Sequence, residues 1–587
     1  MAQLKKKKAG FSFFDLSSTA SPTSKFNLWF ERHFRVLAIA VIAIGAILRI
    51  WLLTELPQMP FSQLYKAPDL DMDFFDRWGQ RIADGDVLTD TVFHPNHFWH
   101  RMITDTLGLS AEAGIQQWNE WYGEKQYHQE PLYALMLGGA KAFGGDGHML
   151  MYILQMLLSL LSTWLIIWLG RHYFNHAAGI LGGLLFVLYG PALLFDASLL
   201  RTSLSTTLLL GVLVVGEQLM AGRKQGFLMG LIGGLSYLLL TTTLIVWLPI
   251  TLRWLYLRAR TFKASLSVLA GFGICIAFLV YRNASVGAPL FSSSSVGAIT
   301  YVMANYPGYQ PEYGFSYYAG AAGIMKSTDG EMISAAMMVI GQHDHFLDWV
   351  WLQFKKLGAV FHWYEIPNNI NTYLAAEFSD ALKATFLPYA VIVALALPGI
   401  LIHLRHRKTI NLLWSIFTQI VIMVIFYVLC RFRIPMVAML CVYAGFTLQC
   451  FGNMRQGKSI FLLAVIILSS WAFVNRPWPN IPLRFSRGDL QMNFVYYYQP
   501  KIDELYKNGD IQGAIWLFTA FTETIPGYLK DKNVKTSLRH PWQQDLAYYY
   551  SLVYRDIGSL YKETGDTLQE SVYNKKAKKL MKAANRN

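Results

Sequence analysis

Asp69-Leu70-Asp71-Met72-Asp73-Phe74-Phe75-Asp76-Arg77-Trp78 follows the first long apolar run of the chain, Val36 to Leu56, by about 15 residues. Four carboxylates, Asp69, Asp71, Asp73 and Asp76, therefore fall within eight positions next to a membrane face. Charge is costly to hold at a low-dielectric boundary unless a substrate, a metal or a proton-accepting role employs it. The competing reading is a solvated acidic loop that caps a helix.

Working outward from that loop, apolar runs long enough to cross a bilayer recur through most of the 587 residues, of which 54% are hydrophobic. The fold class is an all-α polytopic membrane protein, with about eleven spans by the criterion of ~20 apolar residues each. The first run is expected to be a signal-anchor helix rather than a cleaved signal peptide. The others centre near Leu158, Leu185, Leu209, Leu231, Val246, Phe272, Val393, Ile422, Met439 and Val465. Phe227–Leu257 reads either as two short spans or as one tilted pair with a tight turn at Thr241-Thr242-Thr243. Gly226, Gly230 and Gly234, four apart, predict a close helix-packing seam.

The net charge of +14 does not indicate nucleic acid, because much of it lies in short loops between apolar runs. Placing Lys5 to Lys8 in the cytoplasm puts Arg171, Arg223, Lys224, Arg258, Arg260, Lys263, Arg405, Arg407, Lys408, Arg455 and Lys458 there too. The acidic loop, Asp196 and Cys430-Arg431-Phe432-Arg433 then face the other side, as does the C-terminal tail. The expected organisation is a basic N-terminus (1–35), a membrane domain (36–474) with outer loops at about 57–149 and 282–383, and a soluble helical tail (475–587) introduced by Pro477, Pro479 and Pro482. Short apolar patches such as Pro131–Phe143 predict interfacial helices. The tail repeats Tyr506-Lys507-Asn508-Gly509-Asp510 as Tyr561-Lys562-Glu563-Thr564-Gly565-Asp566, like pieces of tetratricopeptide helix pairs. The four cysteines give neither a disulfide framework nor a zinc spacing.

Asp71 is the candidate proton acceptor, with Asp73 as a like-charged neighbour expected to raise one of the two pKa values. Asp73 reads equally as a first-turn helix acid. Arg431 and Arg433 are the candidate phosphate clamp, since a guanidinium matches phosphate oxygens bidentately; the competing reading is snorkelling to headgroups. His94, His97 and His100 are weak candidates for a divalent metal, and His343-Asp344-His345 weaker still. No cofactor is otherwise expected.

Asp71, Phe75, Trp78 and Gly85-Asp86 resemble the first outer loop of the GT-C glycosyltransferases, which include the protein O-mannosyltransferases and the lipid A aminoarabinose transferase. Glu130-Pro131-Leu132-Tyr133, Leu188-Tyr189-Gly190-Pro191 with Asp196, Tyr281-Arg282-Asn283, Ser292–Gly297 with Asn305, Glu365-Ile366-Pro367-Asn368-Asn369, and Arg431-Phe432-Arg433-Ile434-Pro435 with Ala444-Gly445 extend the resemblance over residues 40 to 450. It implies a polyprenyl-phosphate-linked sugar donor, an inverting transfer on the periplasmic side of a bacterial inner membrane, and a protein, lipid or glycan acceptor. By the same resemblance Asp71 is the base, and Glu130, Asp196, Arg201, Asn305 and Glu365 bind substrate. Glu130 stands where some relatives carry a phosphate-binding lysine, which shifts that role to Arg431 and Arg433. The rival readings are a ligase for a lipid-linked polysaccharide and a transporter or flippase, the latter disfavoured because the spans hold few interior charges.

Overall fold

The computed structural model describes residues 24–584, apart from 69, 91–92, 96, 219–221, 260, 315–317, 386, 405, 454–456, 479–485, 531–533, 535–537 and 539. Lys5 to Lys8, Asp69, Arg260, Arg405, Arg455, Pro479 and Pro482 lie outside the described residues. Among the described residues the chain is helical throughout and forms no strand, only an isolated bridge between Asn368 and Ile370.

Each apolar run named above centres in a helix. Among the described residues five helices are long and apolar enough to cross a membrane: Phe34–Gln58, His148–Tyr173, Phe262–Val286, Arg407–Ile425 and Cys430–Gly452. The rest are shorter, and two are interrupted for identifiable reasons. Helix His176–Val187 stops at Leu188, and Gly190–Asp196 restarts with a proline in its first turn, where the missing N–H is harmless. Between helices Arg223–Leu239 and Leu244–Trp254, Leu240 is extended and Thr241–Thr243 is a single 3-10 turn, so Phe227–Leu257 is two helices with a break.

Packing decides which helix is central. Cys430–Gly452 is 89% buried, against 28% for Phe34–Gln58. It is surrounded by helices His148–Tyr173, His176–Val187, Thr202–Glu217, Tyr389–His403 and Ile410–Ile425. Arg431 and Arg433 lie in the first turn of this central helix, which starts ahead of Pro435 rather than at it. The glycine seam forms as expected. Helix Arg223–Leu239 lies against Phe262–Val286 so closely that a methyl group on Gly230 would strike the Val268 carbonyl.

Residues 57–149 and 282–383 fold largely as short helices and are bonded to each other, Ser292 to Gln126 (2.5 Å) and Asn369 to Asp71 (3.1 Å); together they form the loop side of the molecule. The Pro131–Phe143 patch departs from the interfacial expectation. Helix Leu132–Ala142 packs on helix Asp71–Ala83, and a side chain on either Gly79 or Gly138 would clash across that contact. Tyr133, Ala134 and Leu137 are buried there, and exposure is confined to the end of the patch, at Ala142 and Phe143. The tail forms helix pairs Gln499–Lys507/Ile511–Thr522 and Pro541–Glu563/Thr567–Ala584. Gly509 and Gly565 turn these pairs at φ 79 and 77, a region that disfavours side chains. The tail docks on the loop side: Tyr497 donates to the Gln58 carbonyl (2.7 Å) and Asn371 to Asp489 (3.1 Å).

Asn305, a predicted substrate-binding residue, is used up as a structural knot. Its amide donates to the carbonyls of Tyr301 and Ile425, and its Oδ1 accepts from Gln353 and Lys356 (3.0 Å each). Lys356 is fully buried, with Tyr309's ring 5.3 Å away and His343 bonded to the Asn305 carbonyl. Burial pushes the Lys356 ammonium down to about 7. The unfolded chain, at about 10.4, holds that proton more tightly. Lys356 therefore adds stability as pH rises from about 7 toward 10, on the order of a few kcal/mol. In Lys356→Met this contribution is absent. The melting temperature of the variant relative to wild type is expected to fall as pH is raised from about 7 to about 9. A difference that stays constant with pH would refute this.

Candidate functional site

Helix Asp71–Ala83 begins without a side-chain cap from its own N-cap, Leu70. The cap comes from far along the chain: the Asp71 N–H donates to Asn369 Oδ1 at 2.9 Å. Asn369 can reach because it sits at φ 64, a left-handed conformation that asparagine tolerates better than most residues. Its amide returns a hydrogen bond to Asp71 Oδ2 (3.1 Å), Gln129 donates to Oδ1 (2.9 Å), and Arg431 closes a 2.5 Å ion pair on Oδ2. A first-turn carboxylate, a left-handed turn and the start of the central helix thus meet at one point.

Asp71 remains 23% exposed and Arg431 11% exposed, so the pair is partly accessible to solvent. Burial pushes the Asp71 carboxyl up, but the Arg431 guanidinium and the Asn369 and Gln129 hydrogen bonds outweigh it and hold the carboxyl well below the usual carboxylate range. The expected mutual effect of Asp71 and Asp73 is thereby corrected. Two positions apart on a helix, their side chains diverge by about 200°. Asp73 turns instead to Arg77, one helical turn on, at 2.8 Å. Asp76 is also engaged, by Lys141 (2.8 Å) and His148 (2.5 Å), which staple helix Asp71–Ala83 to helices Leu132–Ala142 and His148–Tyr173.

Glu130 and Arg201 pair at 2.5 Å and repair the break at Thr241. Glu130 accepts from the Thr241 N–H (2.9 Å), and Arg201 donates to the Leu239 carbonyl (2.9 Å). Arg201 is near enough to Arg431 and His128 to act on both electrostatically. The site therefore holds a second guanidinium, itself already joined to a carboxylate.

The remaining predicted residues lie elsewhere. Arg433 is fully buried two positions beyond Arg431. It donates to the carbonyls of Ala359 (2.5 Å) and Tyr364 (2.7 Å), pairs with Glu365 (3.3 Å), and stacks 4.7 Å from the Tyr389 ring centroid. Glu365 also accepts from Tyr189 (2.6 Å). With both terminal nitrogens bonded to protein and the side chain wholly buried, Arg433 presents no open face to a phosphate. Asp196 is buried against Arg49 (2.8 Å) and Ser203 (2.5 Å). Both ring nitrogens of His94 are occupied, by Asn119 and the Gln126 carbonyl. The His97 and His100 rings lie against each other at a 40° tilt, 5.2 Å between centroids. Among the described residues no group of three His, Cys, Asp or Glu side chains is arranged to hold a metal.

Gln129 and Asn369 were not singled out as site residues. For Gln129 the available signal is its place next to Glu130; for Asn369 it is Pro367-Asn368-Asn369, a turn signature whose second asparagine suits a left-handed position.

Fold and site define a polytopic protein, all-helical among the described residues, with a partly exposed carboxylate–guanidinium pair at the head of its central helix. No family model matches the chain, and no curated protein matches it. Among solved structures it is similar to the crystal structure of ArnT from Cupriavidus metallidurans bound to undecaprenyl phosphate, with 12% identity, coverage of 78% of this chain and 67% of that chain, and a TM-score of 0.34.

Proposed function

We propose that this protein is a membrane glycosyltransferase of the GT-C class. It moves a sugar from a polyprenyl-phosphate-linked donor to a hydroxyl of a protein, lipid or glycan acceptor, with inversion. The loop side then faces the periplasm, with the N-terminus in the cytoplasm. The observation that carries this reading is the Asp71–Arg431 pair, formed across 360 positions at a solvent-accessible point.

In the resting protein the two charges neutralise each other. A donor phosphate competes for Arg431, because guanidinium pairs with phosphate as readily as with carboxylate. Loss of the Arg431 contact removes the largest influence lowering the Asp71 pKa, so donor binding makes Asp71 a better base. The acceptor hydroxyl then attacks the anomeric carbon from the face opposite the phosphate. Asp71 takes its proton as the new C–O bond forms. The old C–O bond breaks with its electron pair on the departing polyprenyl phosphate, whose charge Arg431 and neighbouring Arg201 stabilise.

Arg431→Gln in purified protein is expected to weaken binding of a polyprenyl phosphate by about tenfold or more, as befits loss of a charge-assisted contact. Unchanged affinity would remove Arg431 from the donor site. Product mass then separates transfer of one sugar from ligation of a polymer.

A further inference from the structure

Helices Met332–Gly341 and Phe346–Val360 carry large apolar side chains on the outside. Ile333 is 73% and Met337 68% exposed on the first; Leu347 is 74%, Trp351 61% and Phe354 58% exposed on the second. The spacings 333/337 and 347/351/354 each trace one face of a helix. The opposite faces are buried: Ala335 and Val339 on one, Leu352, Lys356 and Ala359 on the other. Ten and fifteen residues long, these helices reach ~15 and ~22 Å, too short for a hydrocarbon core of ~30 Å.

Their position is defined by two ties. Lys356 and the last residue of helix Ile410–Ile425 meet on Asn305, and helix Phe346–Val360 packs against that apolar helix. At the other end, Arg476 donates to the Gly358 carbonyl (2.5 Å) and the Trp363 N–H to the Val474 carbonyl (3.2 Å), where helix Gly457–Val474 finishes. Helix Phe346–Val360 thus runs across the loop-side ends of two apolar helices, at the depth where a bilayer passes from acyl chains to headgroups. Arg476 lies 5.2 Å from the Trp478 ring centroid, an aromatic and cationic pairing suited to that depth. The polar positions flanking the stripe, Asp344, Asp348 and Lys355, are exposed.

We infer that helices Met332–Gly341 and Phe346–Val360 form a monotopic anchor seated in the loop-side leaflet, with Ile333, Met337, Leu347, Trp351 and Phe354 among phospholipid acyl chains. Helix Phe346–Val360 packs on helix Ile410–Ile425, whose loop-side end residue, Ile425, is itself exposed, so one lipid layer covers both. The anchor also bears on the site. The carbonyl of Ala359, in its last turn, is held by Arg433, two positions from Arg431. Leaflet seating therefore fixes the Asp71–Arg431 pair close to headgroup depth. It does not depend on glycosyl transfer.

The native cysteines are all buried, so spin labels can be directed to Leu347→Cys and Phe354→Cys on the stripe and to Asp344→Cys and Lys355→Cys beside it. The full-length protein is placed in phosphatidylcholine vesicles free of polyprenyl lipid, and collision of each label with oxygen and with a water-soluble nickel chelate is measured. The stripe labels are expected to show an oxygen-to-nickel ratio several-fold above that of the flanking labels. Equal ratios would overturn the inference by placing the stripe in water. Protection from both reagents would overturn it by showing protein, such as a second copy, on this face. An oxygen-rich signal that appears only after adding a polyprenyl phosphate would overturn it in favour of the donor's own chain.

Discussion

Asp71→Asn is expected to lower sugar transfer by about 10²–10⁴-fold, the range for losing a positioned general base. Asparagine keeps the side chain's size, and its single carbonyl oxygen can still accept from Gln129, which in the wild type donates to Oδ1. What disappears is the negative charge that receives the acceptor proton and holds Arg431 at 2.5 Å. Arg431 is then no longer shared, so affinity for a polyprenyl phosphate is expected to hold or rise while transfer collapses. Both are measured on the same preparation in vesicles, as sugar transferred and as lipid phosphate bound. Full transfer by the variant would exclude Asp71 as the base. Parallel loss of binding and transfer would instead point to a role for Asp71 in assembling the site.

Arg433→Gln is expected to be the most destabilising single change in the membrane domain. The guanidinium is wholly buried and serves three partners at once: Ala359, Tyr364 and Glu365. Its removal leaves Glu365 without a cation in the interior, where burial already pushes that carboxyl up. Breaking such a pair from one side costs about 3–5 kcal/mol. The readout is a lowered melting temperature of the purified protein, with the double variant Arg433→Gln/Glu365→Gln recovering part of the loss. A variant that melts like wild type but no longer binds a polyprenyl phosphate would return Arg433 to the phosphate-clamp role expected from sequence.

The two arginines show how far the sequence could be read. Arg431 and Arg433 share one short motif, and nothing local separates them. In the helix that contains both, positions two apart point in different directions. One side chain therefore meets the Asp71 helix and the other the Ala359–Glu365 segment. The same geometry divides Asp71 from Asp73. The Asp73–Arg77 pair was readable from its one-turn spacing, whereas Asp71's partners lie 58, 298 and 360 positions away.

Legible from near neighbours alone were the helices, from runs of apolar residues, the turn at Thr241–Thr243 and the glycine seam. The sequence also marked Asp71 and Arg431 as charges unusual for their surroundings. Only the tertiary structure decided which charges meet. It joined Asp71 to Arg431, Gln129 and Asn369, and it placed Asn305, Asp196 and Arg433 in buried knots. The reason is physical: hydrophobic burial and helix propensity act over a few residues and leave a periodic trace. Pairing across hundreds of positions is set by how a dozen helices pack, and that packing has no period to read.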